Sequence, residues 1–85
     1  MTALLPVRVM VTDAWDEVPL QLPAAATLGE LKRQALEATR VTRDPSGYLV
    51  KYRGAEQSDD VSLADAGVVP NAGLIVLARK RRPVR

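Results

Sequence analysis

A chain of 85 residues with 47% hydrophobic and 26% charged side chains has room for one core and enough apolar material to fill it, which sets aside disorder, fibrous repeats and a second domain. It contains neither cysteine nor histidine, so disulfides, Cys/His metal sites, thiol chemistry and every histidine-based general base are excluded. The net charge of +2 belongs to one end of the chain: Arg79, Lys80, Arg81, Arg82 and Arg85 are five of the twelve basic residues, and the other seven face ten acids, leaving the body at −3.

Pro6 closes a short apolar leader, after which Val7-Arg8-Val9-Met10-Val11-Thr12 alternates and places Val7, Val9 and Val11 on one face of a half-buried strand. The polar stretch Asp13 to Glu17 interrupts it, and Val18-Pro19-Leu20-Gln21-Leu22 alternates again, so the two strands make a hairpin. Pro19 has no N–H for a ladder and puts the second strand at a sheet edge. Thr27-Leu28-Gly29-Glu30 has the spacing of a capping box, with the Thr hydroxyl accepting from the residue-30 N–H and the Glu carboxylate reaching back to the Thr N–H. The predicted helix carries Leu28, Leu31, Ala35 and Ala38 on one stripe with Leu36 beside it, turns Glu30, Lys32, Arg33, Gln34 and Glu37 to water, and ends near Arg40. Asp44-Pro45-Ser46-Gly47 fits a type I turn. It leads into a strand with Tyr48, Val50 and Tyr52 inward and Leu49, Lys51 and Arg53 outward. Gly54 to Asp60 reads as a polar loop, Val61 to Gly67 as a short helical turn stopped by the glycine, and Pro70 to Gly73 as another turn. Leu74 to Ala78 is apolar on both faces, as a central strand is.

One amphipathic helix and one mixed sheet cover each other in two layers, an α+β fold. From Val7 to Arg79 the order and spacing of these segments resemble the ubiquitin-like β-grasp family. The supporting stretches are the hairpin Val7 to Leu22, the helix start Thr27-Leu28-Gly29-Glu30-Leu31-Lys32, the strand Tyr48 to Gly54, and Ser62 to Val68 followed by Asn71-Ala72-Gly73-Leu74. The resemblance implies a mixed sheet of four to five strands in the order 2-1-5-3 with one packed helix, a domain over residues 1–80 and a basic flexible tail over 81–85. The Leu63-Ala64-Asp65-Ala66-Gly67 stretch also resembles the small bacterial YukD-type members associated with type VII secretion. Conjugated members of the family end in Gly-Gly; this chain ends Arg81-Arg82-Pro83-Val84-Arg85, so a modifier role is disfavoured.

With that strand order, the sheet face away from the helix carries Arg8, Met10, Leu49, Lys51, Arg53, Ile75, Leu77 and Arg79, an apolar strip with a basic rim. The resemblance marks this face as a partner surface: Leu77 matches one position of the family's apolar patch, while Lys51 stands where the family has an aliphatic residue. Scattered apolar residues on an open sheet face are also common without any function. Trp15 falls at the hairpin tip, where it either anchors a partner, or folds back over the sheet or pairs against Pro19. Glu56, Asp59 and Asp60 match no cation loop and read as solvated charges, and no serine or glycine sits in a nucleophile or phosphate motif. Tyr48 and Tyr52 read as core residues with hydroxyls at the sheet margin.

The expected function is a non-enzymatic protein-interaction module without cofactor or metal, an accessory component of a bacterial secretion or regulatory complex, with a homodimer through the open face as one form of its partner. A nucleic-acid or anionic-surface binder acting through the terminal arginines is the rival, and no aromatic residue interleaves that cluster as base stacking requires. Residues 1–6 lack a charged segment ahead of the apolar ones, and Gly73 to Ala78 falls far short of the ~20 residues that span a bilayer, so a cytoplasmic chain is expected. Deleting residues 81–85 is expected to leave the thermal midpoint unchanged, and any binding to heparin or DNA to disappear with them; a loss above about 1 kcal/mol places the tail inside the fold.

Overall fold

The computed structural model describes residues 4–79. Five strands and one long helix follow in chain order: β1 (Leu4–Val11), β2 (Asp16–Pro23), α1 (Leu28–Ala38), a 3-10 turn (Pro45–Gly47), β3 (Tyr48–Tyr52), β4 (Ala55–Gln57) and β5 (Ala72–Ala78). The sheet order is β2-β1-β5-β3-β4, with β1 and β5 parallel at the centre and the other pairs antiparallel. The predicted order 2-1-5-3 is therefore met and extended by β4, which forms from Ala55, Glu56 and Gln57 inside the stretch read as a loop. Three residues with one apolar side chain carry no period-2 signal; their pairing with Val50, Lys51 and Tyr52 supplies it.

Alternation sorts the strands as expected. Val7, Val9 and Val11 of β1, Leu22 of β2, Tyr48, Val50 and Tyr52 of β3, and Leu74 and Val76 of β5 are buried against Leu28, Leu31, Ala35 and Leu36 of α1, with Leu63 and Val68 closing one end. Pro6 lies inside β1 rather than before it, paired with Gln21, and Asp16 and Glu17 belong to β2 rather than to the loop. Successive β1–β2 pairs alternate in hydrogen bonding. Pro6 and Pro19 fall in the same alternate set, with Pro23, so none of the three nitrogens faces the shared ladder. That of Pro6 points toward β5, where its carbonyl accepts from Asn71 N–H at 2.7 Å, and those of Pro19 and Pro23 point to the free edge.

The helix start is satisfied donor by donor. Leu28 N–H donates to Val61 O (2.8 Å), Gly29 N–H to Asp59 O (3.0 Å), and Glu30 N–H to Thr27 Oγ1 (3.2 Å). The Glu30 carboxylate does not return to Thr27, which is bridged to Ser62; it accepts instead from Arg33 and from Gln34 Nε2 (2.9 Å). Gly29 permits the close approach, since a Cβ there would stand 3.1 Å from both Asp59 Cβ and Asp59 O. At the other end Arg40 takes φ 61°, with Arg40 N–H to Glu37 O (3.1 Å) and Val41 N–H to Leu36 O (2.9 Å), a Schellman ending without its usual glycine.

Two helix positions differ from the sequence pattern. Ala38 is exposed, and Lys32, placed on the solvent face by periodicity, is only 1% exposed. Its ammonium donates to Asp59 Oδ2 (2.7 Å) and to Tyr48 O (3.0 Å), so Asp59 is an ion-pair partner and not a solvated loop charge. Residues 62–67 form the expected turn, with Ala66 N–H to Ser62 O (3.0 Å) and Gly67 at φ 78°.

Leu31→Ala is expected to cost roughly 2 to 5 kcal/mol and Thr27→Ala about 1 kcal/mol in urea unfolding; a neutral Leu31 change contradicts the packing described. Asp59→Ala is expected to cost about 3 kcal/mol, more than Lys32→Met, because the first strands a buried ammonium and the second removes it. The reverse order in the same assay overturns that account.

Candidate functional site

The face of the sheet turned away from α1 is ordered by register. One row across all five strands reads Glu17, Met10, Ile75, Lys51 and Glu56; the row on one side of it reads Pro19, Arg8 and Gly73, and on the other Leu77 stands opposite Leu49. Ile75 is 43% exposed, Met10, Leu49, Lys51 and Leu77 are half-buried, and Arg8 is exposed. An apolar strip thus crosses the three central strands, since β5 offers Ile75 and Leu77 between Met10 and Leu49 and the single helix covers only the other side.

The ends of the strip are charged with both signs. Pairing brings Glu56 beside Lys51, and Arg79 closes the corner: its N–H donates to Gly47 O (2.9 Å), Nε to Ser46 O (3.3 Å) and Nη1 to Glu56 Oε2 (3.1 Å). Glu17 ends the row on the β2 side. Sequence reading placed only basic residues around this strip, because β4 was taken for a loop and Glu17 for part of a turn. Arg53 leaves the strand altogether; it occupies the β3–β4 turn at φ 57° with its guanidinium 5.8 Å from the Tyr52 ring centroid.

Trp15 is 79% exposed, so it does not fold back over the sheet. The loop beneath it is fixed. Thr12 N–H donates to Val76 O (3.0 Å), Trp15 N–H to Thr12 O (3.1 Å), and the Tyr48 hydroxyl to Asp13 Oδ2 (2.5 Å), with Arg43 Nη1 3.9 Å from the same oxygen. Tyr52 likewise ends at the margin, its hydroxyl donating to Gly67 O (3.2 Å). The Asp13 carboxylate, and secondarily burial, push the Tyr48 phenol above its ordinary pKa. Among the described residues no three Asp or Glu side chains gather as a metal site would require, and no helix is long and apolar enough to cross a membrane.

These features define a ubiquitin-like β-grasp fold. Solved structures agree: the chain is similar to the ubiquitin of Caldiarchaeum subterraneum (TM-score 0.78, 15% identity, covering 94% of this chain and 99% of that one). It is also similar to a designed protein based on ubiquitin (TM-score 0.80, 19% identity, 98% of each chain). An N-terminal ubiquitin-like domain solved in solution is a third (TM-score 0.77, 14% identity, all of this chain and 84% of that one). No protein-family model and no curated protein sequence matches the chain.

A tyrosine whose folded pKa is raised lends stability that is complete below its unfolded value near 10 and is lost as pH rises through the folded one. Tyr48→Phe is therefore expected to lower stability by about 1 kcal/mol at pH 7, and the gap to close above about pH 10. A gap unchanged at high pH removes Tyr48–Asp13 as the cause.

Proposed function

We propose that the chain is a non-enzymatic protein-interaction module and that the helix-free sheet face is its partner surface. The observation that carries this reading is the Met10, Ile75, Leu49 and Leu77 strip, left uncovered at the centre of the sheet. Burial of such a strip is favourable in proportion to its apolar area, and Arg8, Lys51 and Arg79 beside it set orientation by charge. Because Glu17 and Glu56 stand at its two ends, the face suits a partner with an apolar centre and charges of both signs, rather than a uniformly acidic one. The role as an accessory component of a bacterial secretion or regulatory complex is supported by the resemblance of Leu63 to Gly67 to the YukD-type stretch. Residues 1–80 are taken as the folded unit and 81–85 as a basic extension.

Ile75→Asp alone and Ile75→Ser with Leu77→Asp are expected to abolish partner recovery by the immobilised chain while the circular dichroism spectrum stays that of the wild type. Recovery of the same partner by a folded variant sinks the assignment. Secretion ATPases and membrane components among the recovered proteins support the finer role, whereas an activating enzyme points to a modifier and overturns it.

A further inference from the structure

The hairpin tip concentrates features that folding alone does not favour. Trp15, the chain's one tryptophan, is 79% exposed, so the fold gains little from its indole. It also closes the β1–β2 loop at φ 52°, in the left-handed region that suits glycine or asparagine and is an outlier for a bulky side chain. The loop is nevertheless held firmly, by Thr12 and Trp15 through backbone hydrogen bonds and by Asp13 through Tyr48 and Arg43. A large apolar side chain is thus presented from a hydrogen-bonded loop, at a cost in backbone strain, and left largely uncovered by the described residues.

Its surroundings are acidic. Asp16 and Glu17 follow it directly, both exposed, and among the described residues neither takes part in an ion pair. The neighbouring edge does not recruit a strand, since Pro19 and Pro23 turn their nitrogens outward. We propose that Trp15 is an anchor that seats in an apolar pocket of a partner protein, and that lysine or arginine side chains frame that pocket. The proposal rests on reading the chain as an interaction module but concerns the tip, not the sheet face. A rigid aromatic in a fixed loop loses little conformational freedom on docking, which suits an anchor, and the two carboxylates set the sign of what surrounds it.

The test uses a photo-crosslinking amino acid placed in the full chain, in its source cells, at Ala14 beside the intact Trp15 or at Lys51 on the sheet face. Crosslinks from position 14 are expected in an apolar pocket with at least two Lys or Arg side chains around it. Crosslinks from 51 without any from 14 overturn the anchor and leave the module standing. None from either position removes both. Crosslinks from 14 to lipid, to nucleic acid or to an acidic surface overturn the proposed partner chemistry. With the crosslinked partner purified, Trp15→Gly is expected to weaken binding by about 30-fold while raising the thermal midpoint of the free chain by about 4 °C, because glycine relieves the left-handed position. Asp16→Asn, which leaves the sheet-face row unchanged, is expected to weaken binding several-fold and to flatten its salt dependence. Binding by Trp15→Gly within twofold of the wild type, or a lowered midpoint, overturns the proposal.

Discussion

The ammonium of Lys32 joins three separate parts of the chain. It is carried by α1, donates to the carbonyl of Tyr48 where β3 begins, and pairs with Asp59 in the segment that runs over the helix start. That same segment receives the Leu28 and Gly29 N–H groups and sets Val61 and Leu63 against the helix. A charge in so buried a place is tolerable only when its hydrogen bonds are made, so the 58–61 loop has to bring Asp59 to it. The absence of a side chain at Gly29 completes the fit. Helix, sheet and crossing loop are thereby tied together at one point.

The consequence for the surface is a division of labour between the two faces of the sheet. The α1 side takes up the inward positions of β1, β3 and β5, and the opposite side retains an apolar strip that no other element among the described residues covers. Tyr48 links the two aspects, since its ring lies in the core and its hydroxyl fixes Asp13 in the loop that presents Trp15. The loop that carries Trp15 is tied to the sheet by that hydroxyl and by the Thr12 N–H on the Val76 carbonyl.

Much of this was legible in the residues. Val7, Val9, Val11 and the Tyr48 to Tyr52 alternation gave strand faces correctly, Pro19 marked the edge, and Thr27 marked the helix start, because each signal is local and has one mechanical meaning. Lys32 was not legible: by periodicity it belongs with Arg33 and Glu37, and only the distant Asp59 and the Tyr48 carbonyl make its burial tolerable. β4 was hidden for a similar reason, its strand character residing in its partner β3. The open sheet face was placed by alternation at Met10, Leu49, Lys51, Ile75 and Leu77, but its electrostatics were read as too basic, since Glu17 and Glu56 join it only through pairing. Arg53 shows the limit of extending alternation past a strand end, where a left-handed residue turns the chain aside.

The proline pattern of β2 has a bearing on how these molecules tolerate crowding. Along its free edge only Glu17 and Gln21 can offer an N–H outward, two donors separated by about 13 Å of strand, and the carbonyls between them find no matching row. At the opposite edge β4 is three residues long, with the Glu56 carboxylate already held by Arg79. Both margins are blunted as templates for another chain, which disfavours sideways growth of a sheet with an exposed apolar strip and leaves contact with other molecules mainly to side chains.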